Sequence, residues 1–202
     1  ALDSVETPFD KREDILGGSA SFFSVVSSLI TPVRLVAVVG EDFPEEHVDL
    51  FRSHRVDVTG LERRPGRTFR WTGRYAEDFS SRETLDTQLN VFEHFDPKLP
   101  DEYRSSEIAF LGNIHPDLQL KVLDQVEGAS LKAADTMNFW IDGAKEALLK
   151  VLSRIDLLLI NDEEAIQQHI GTAAAFYVES TLKRGDVIGI SSWSATLLAM
   201  VD

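Results

Sequence analysis

Apolar positions along the chain fall into two alternating patterns. Arg34–Gly40 (RLVAVVG) is a short β-branched run ending in glycine, which predicts a buried strand. Ile108–Ile114 (IAFLGNI) and Ile155–Ile160 (IDLLLI) have the same character. Helical spacing appears beside them. Phe22, Val25, Val26, Leu29 and Ile30 recur with a helical period before Pro32 stops the run, and Pro44–His54, Asp117–Val126 and Gly143–Arg154 also read as helices. Strands alternating with helices predict an α/β fold: a mainly parallel central sheet, holding the three strands together, with helices on both faces. Ligands of such sheets sit at the carboxyl ends of the strands.

One segment departs from this rhythm. Thr68–Ala76 (TFRWTGRYA) alternates small or polar with large residues, as a half-exposed strand does, and Leu89–Phe95 is its expected neighbour. The pattern fits a small β lid and an ordinary surface hairpin equally. The whole of 1–202 reads as a single α/β domain, incomplete at both ends, with the lid strands within 5–16 and 63–95.

Composition narrows the function classes. The 202 residues are 43% hydrophobic and 27% charged, as a globular chain requires. The net charge of −14 argues against a nucleic-acid partner, which demands a basic footprint. There is no Cys, which removes disulfides, thiolate zinc sites and cysteine nucleophiles. The longest apolar stretch, Ser19–Val39, is interrupted by serines, Pro32 and Arg34, and so predicts no membrane span. Acidic residues before it (Asp3, Glu6, Asp10, Glu13, Asp14) argue against a signal peptide, and a cytoplasmic setting is expected.

Several weak signals fail. Gly60–Thr68 (GLERRPGRT) resembles a phosphate loop, but its spacing is wrong, it has Arg67 in place of Lys, and a strand-like segment follows. No dinucleotide or serine-hydrolase glycine fingerprint occurs. His47 and His54 read as residues of a surface helix.

Three signals carry more. Gly17-Gly18 precedes the helix that contains Phe22, where glycine permits close approach of a ligand to free helical N–H groups; it is also an ordinary turn. Asn161-Asp162-Glu163-Glu164 follows a strand directly. An amide and a carboxylate three apart can orient hydrated Mg²⁺ and phosphate, and the same pair makes a helix capping box. Lys183-Arg184-Gly185 places a basic pair before a glycine turn, suited to a nucleotide or simply to solvent.

In order and spacing these pieces resemble the pfkB, or ribokinase-like, family of carbohydrate kinases, from Asp3 to about Ala165. Asp3 is similar to the substrate-binding Asp that follows the family's first strand. Gly17-Gly18-Ser19-Ala20 resembles its sugar-binding turn, and Val38–Phe43 resembles its Val-Gly-x-Asp strand end. Val56-Asp57-Val58 and Thr68 resemble the approach to the lid strands, and Asn161 with Glu164 matches the Asn-x-x-Glu motif.

The resemblance implies a sugar kinase that transfers the ATP γ-phosphate to a hydroxyl of a sugar or sugar-like molecule. Asp3, Gly17 and Gly18 would bind that substrate. Asn161, Glu164, Lys183 and Gly185 would face the nucleotide, with Asn161 and Glu164 acting on Mg²⁺ through water. A lid over the substrate would exclude water, and its open edges offer a route to a homodimer. A nucleoside kinase, or a non-catalytic sugar- or nucleotide-binding relative, stays open beside this reading. Three departures bear on the choice. Phe22 stands where the family has Asn, Asp135-Thr136-Met137-Asn138 follows the family's strand end only loosely, and the Gly-Ala-Gly-Asp motif that carries the catalytic base is absent. No catalytic residue is assigned.

Overall fold

The computed structural model describes residues 1–77, 82–161 and 189–191. The chain forms two compact units, Ala1–Asp96 and Pro97–Asp202.

The first unit holds two sheets. β3 (Arg34–Gly40) pairs in parallel with β4 (Asp57–Arg64). They are joined by α2 (Glu45–Ser53), which buries Val48 and Phe51 and carries Glu45 and Glu46 in its first turn, where the helix dipole favours them. Leu35, Val39, Phe43, Val48, Phe51 and Val56 form the core with Leu2 and Val33. The second sheet is four-stranded, in the order β2 (Lys11–Leu16), β1 (Leu2–Glu6), β5 (Arg70–Tyr75) and β6 (Arg82–Gln88). β1 runs antiparallel to β2 and parallel to β5, and β5 runs antiparallel to β6. α1 (Ser19–Ser27) follows β2.

A polar knot joins the two sheets of this unit. Asp42 accepts hydrogen bonds from Thr68 N at 2.7 Å, Thr68 Oγ1 at 2.7 Å and an Arg70 guanidinium N–H at 2.7 Å. Gly40 N donates to Thr68 Oγ1 at 3.0 Å, and Thr68 is fully buried. Partial burial pushes the Asp42 carboxyl up, but the bonds from Thr68 and Arg70 outweigh it and hold the group below the usual carboxylate range.

The second unit carries a parallel sheet in the order β10 (Gly189–Ser191), β9 (Leu157–Asn161), β8 (Leu131–Asp135) and β7 (Ile108–Leu111). α3 (Asp101–Arg104) precedes β7, α4 (Pro116–Leu123) lies between β7 and β8 in sequence, and α5 (Asn138–Gly143) and α6 (Lys145–Leu152) lie between β8 and β9. Leu148, Val151 and Leu152 recur at helical spacing on α6 and are all buried. Among the described residues no helix is long and apolar enough to cross a membrane.

The structure corrects several expectations. Arg34–Gly40 is a strand as expected, but it pairs with β4, whereas Ile108–Leu111 and Leu157–Asn161 belong to the separate sheet of the second unit. Ile108–Ile114 ends as a strand at Leu111, because His115 caps α4 and Pro116 opens it. Val56–Val58 leads into β4 of the two-stranded sheet, so it does not enter the lid-like one. Leu89–Phe95 forms a 3₁₀ turn over Asn90–His94, and the neighbour of β5 is instead β6. As expected, Thr68–Ala76 lies outside the parallel sheets, contributing β5 to the four-stranded sheet of the first unit.

Gln119 organises the second unit from within α4. It is almost fully buried, and its Nε2 donates to Gly112 O at 3.0 Å and Asp135 O at 3.1 Å. It thus ties together the carboxyl ends of β7 and β8. Gln119→Leu keeps much of the volume and removes the donor from both carbonyls. We expect a loss of about 1–3 kcal/mol, read as a lower urea midpoint with an unchanged slope.

Candidate functional site

β1 is an inner strand, and its pairing fixes where Asp3 emerges. Asp3 stands opposite Ile15 on β2 and opposite Trp71 on β5, so the three side chains share one face. Asp3 therefore lies within β1. The chain turns after β2 through Gly17 and Gly18. Gly18 has φ 88°, a left-handed conformation suited to glycine, and caps α1. Its N–H donates to the Asp3 carboxylate. Gly17 is buried against the same carboxylate, and any Cβ at Gly17 would overlap the carboxylate oxygens. Ser21 Oγ donates to Gly17 O at 2.8 Å and fixes the turn to the helix. The structure thus brings Asp3, Gly17 and Gly18 together from opposite ends of a hairpin.

Burial pushes the Asp3 carboxyl above the usual carboxylate range, against the Ala1 α-ammonium and the Gly18 N–H, which both favour its charged form. A half-buried carboxylate at the free N–H groups of a helix, with no cationic side chain hydrogen-bonded to it among the described residues, has acceptor capacity to spare. Vicinal hydroxyls satisfy it chemically.

In the second unit the parallel strands end together. Gly112–His115 follows β7, Thr136–Asn138 follows β8, and Asn161 is the last residue of β9. Asp135 stands opposite Leu159, which sets the turn after β8 at the same end as Asn161. Trp140 on α5 donates to Asn113 Oδ1 at 2.9 Å, and its ring meets His115 edge-on at 5.0 Å. Thr136 Oγ1 and Asn138 Oδ1 are buried without a hydrogen-bond partner among the described residues. Buried polar atoms rarely stay unpaired, and here they mark the strand ends where a parallel sheet takes its ligand. Of the expected nucleotide residues, only the backbone of Asn161 is described; Glu164, Lys183 and Gly185 lie outside the described residues. His47 packs on Phe43 at 5.4 Å and His54 contacts Leu50 O, so both serve α2 itself.

No family model matches the chain. A cytidine kinase from Thermococcus kodakarensis is 25% identical over 170 residues, covering 82% of this chain and 60% of its own length. The chain therefore spans less than two thirds of the curated relative it matches. Among solved structures, the Methanocaldococcus jannaschii nucleoside kinase, an archaeal member of the ribokinase family, superposes with a TM-score of 0.66 at 18% identity, over 88% of this chain and 64% of its own. An E. coli protein described as a ribokinase II, solved with ATP and Mg²⁺, superposes with a TM-score of 0.68 at 16% identity, over 94% of this chain and 69% of its own.

The chain has the ribokinase-like fold. The resemblance read from Asp3, Gly17-Gly18, Val38–Phe43 and Asn161 agrees with it. Three residues that the sequence did not single out shape the surroundings of these positions. Trp71 leans over Gly73 on β5, where any Cβ would overlap the indole. Gln119 and Trp140 hold the strand-end turns of the second unit. The pairing of Trp71 with Gly73 two residues on was the available signal, because a glycine inside an alternating strand marks a close approach.

Proposed function

We propose that the protein is a small-molecule kinase that moves the γ-phosphate of ATP to a hydroxyl of a sugar or nucleoside. Fold alone does not set chemistry. The observation that supports this reading is the Asp3 carboxylate held against Gly17-Gly18 at the start of α1. That arrangement binds and orients hydroxyls, and orientation supplies much of the advantage in phosphoryl transfer. The curated cytidine kinase and the archaeal nucleoside kinase support a hydroxylated acceptor.

The second unit supplies the nucleotide side of the proposal. The unpartnered Thr136 Oγ1 and Asn138 Oδ1 fit a polar ligand at the ends of β8 and β9. Asn161 and Glu164 would hold Mg²⁺ through water, and Lys183 and Gly185 would face the phosphates. Bound Mg²⁺ would neutralise charge on the phosphoryl oxygens. The ATP–Mg²⁺ complex of the E. coli relative supports both cofactors. The four-stranded sheet would close over the acceptor and exclude water. Its outer strands, β2 and β6 among the described residues, support edge pairing between two copies.

A thermal-shift series tests this function. ATP–Mg²⁺ and at least one sugar or nucleoside are expected to raise the melting temperature, and NAD is not. Acceptor-dependent ADP formation then separates a kinase from a binding relative. A shift by NAD alone overturns the proposal.

A further inference from the structure

The Asp3 carboxylate has apolar neighbours on its own sheet face. Ile15 stands opposite it and is 40% exposed. Trp71 stands opposite it on the other side, and its indole lies over Gly73, the partner of Val5. Trp71 Nε1 donates to Thr84 Oγ1 at 3.2 Å, which fixes the ring without burying it: Trp71 is half-buried and lies outside the hydrophobic core of its unit. Phe22 lies four residues after Gly18, one turn into α1. Helical side chains lean toward the N-terminus, which inclines the Phe22 side chain toward the turn that opens α1. Phe22 is 49% exposed and also lies outside that core.

Aromatic and aliphatic surface thus flanks a group suited to hydroxyls. A free sugar carries hydroxyls around its whole ring, and these surfaces would strip water from several of them without replacing the hydrogen bonds. A nucleoside divides its chemistry the way the site does, with a polar diol at one end and a flat base at the other. We propose that this site takes a nucleoside in preference to a free sugar, with Asp3 accepting from the ribose hydroxyls and Trp71 and Phe22 bounding the base. The inference rests on reading the site as the acceptor site of a kinase.

Calorimetric titration of the full chain with cytidine, inosine, ribose and fructose tests it. Nucleosides are expected to bind at least about tenfold more tightly than either sugar. Aromatic–base contacts measured by alanine substitution predict that Trp71→Ala or Phe22→Ala lowers the nucleoside-to-ribose affinity ratio about tenfold. Trp71→Phe keeps a ring and should retain most of it. Far-UV circular dichroism confirms that each variant is folded. Equal or tighter binding of ribose or fructose overturns the inference, as does an unmoved ratio in folded variants. Nucleoside binding without phosphoryl transfer supports the inference and defeats the kinase reading. Transfer to a sugar by a protein that binds no nucleoside does the reverse.

Discussion

Gly40→Ala is expected to be the most damaging single change to the first unit. Gly40 ends β3, and its Cα packs directly on backbone: a Cβ there would overlap Gly66 O, the Arg67 carbonyl carbon and Thr68 N. None of these atoms belongs to a side chain that can swing away. Glu41 N donates to Gly66 O at 2.9 Å and Gly40 N to Thr68 Oγ1 at 3.0 Å, so retreat would also break the bonds that seat Thr68 against Asp42. Overpacking typically costs about 1–3 kcal/mol, and an immovable backbone obstacle puts this case at about 3 kcal/mol. Urea unfolding checks it. A midpoint within error of the parent protein would show that the segment 66–68 can relax.

The second large effect falls on ligand binding. Asp3→Ala should weaken the acceptor that shifts the melting temperature, by roughly 10- to 150-fold, since a charged hydrogen-bond partner is worth about 1.5–3 kcal/mol. ATP–Mg²⁺ affinity should hold. Stability separates a binding role from a structural one. Burial raises the Asp3 pKa in the folded state, so the ionised group costs stability. The cost is absent below the ordinary carboxylate pKa of about 3.9, grows as pH rises toward the folded value, and is full above it. At neutral pH, Asp3→Asn should therefore be at least as stable as the parent protein while losing acceptor affinity. Retained affinity in the Asn variant would assign Asp3 to packing.

How far the sequence reveals this molecule depends on how each residue meets its energetic needs. β3 is legible because Leu35, Val38 and Val39 are all buried, and a buried parallel strand shows as a continuous apolar run. β6 (RETLDTQ) is not, because every one of its residues is exposed and no alternation remains. Leu89–Phe95 misleads in the opposite direction. It is apolar enough for a strand, but Phe92 packs on Phe69 at 5.7 Å and Phe95 at 5.7 Å, and Asn90 takes φ 52°, so burial is met without a ladder. α5 is short and buries only Ile141, too little for a period to show. At the site, the Gly17-Gly18 turn stands out because glycines before a helix leave a mark. The contact of Asp3 with Gly17 exists only once β1 pairs with β2, and Trp71 comes to stand beside Asp3 only once β5 pairs with β1.

That placement of β1 also bears on how the chain reaches its structure. Leu2 pairs with Arg70 and Glu6 with Arg74, so the inner strand waits for residues far along the chain. Until they arrive, β1 and β2 form an isolated hairpin, which is marginal in water. Closing so long a loop is entropically costly, and parallel pairing between distant strands slows folding. Meanwhile the edge of β1 that β5 will cover stands open to pairing with other chains. The proposed acceptor site is thus assembled late, by the slowest pairing in its unit, and nascent or heat-stressed protein is most exposed to aggregation through that same strand.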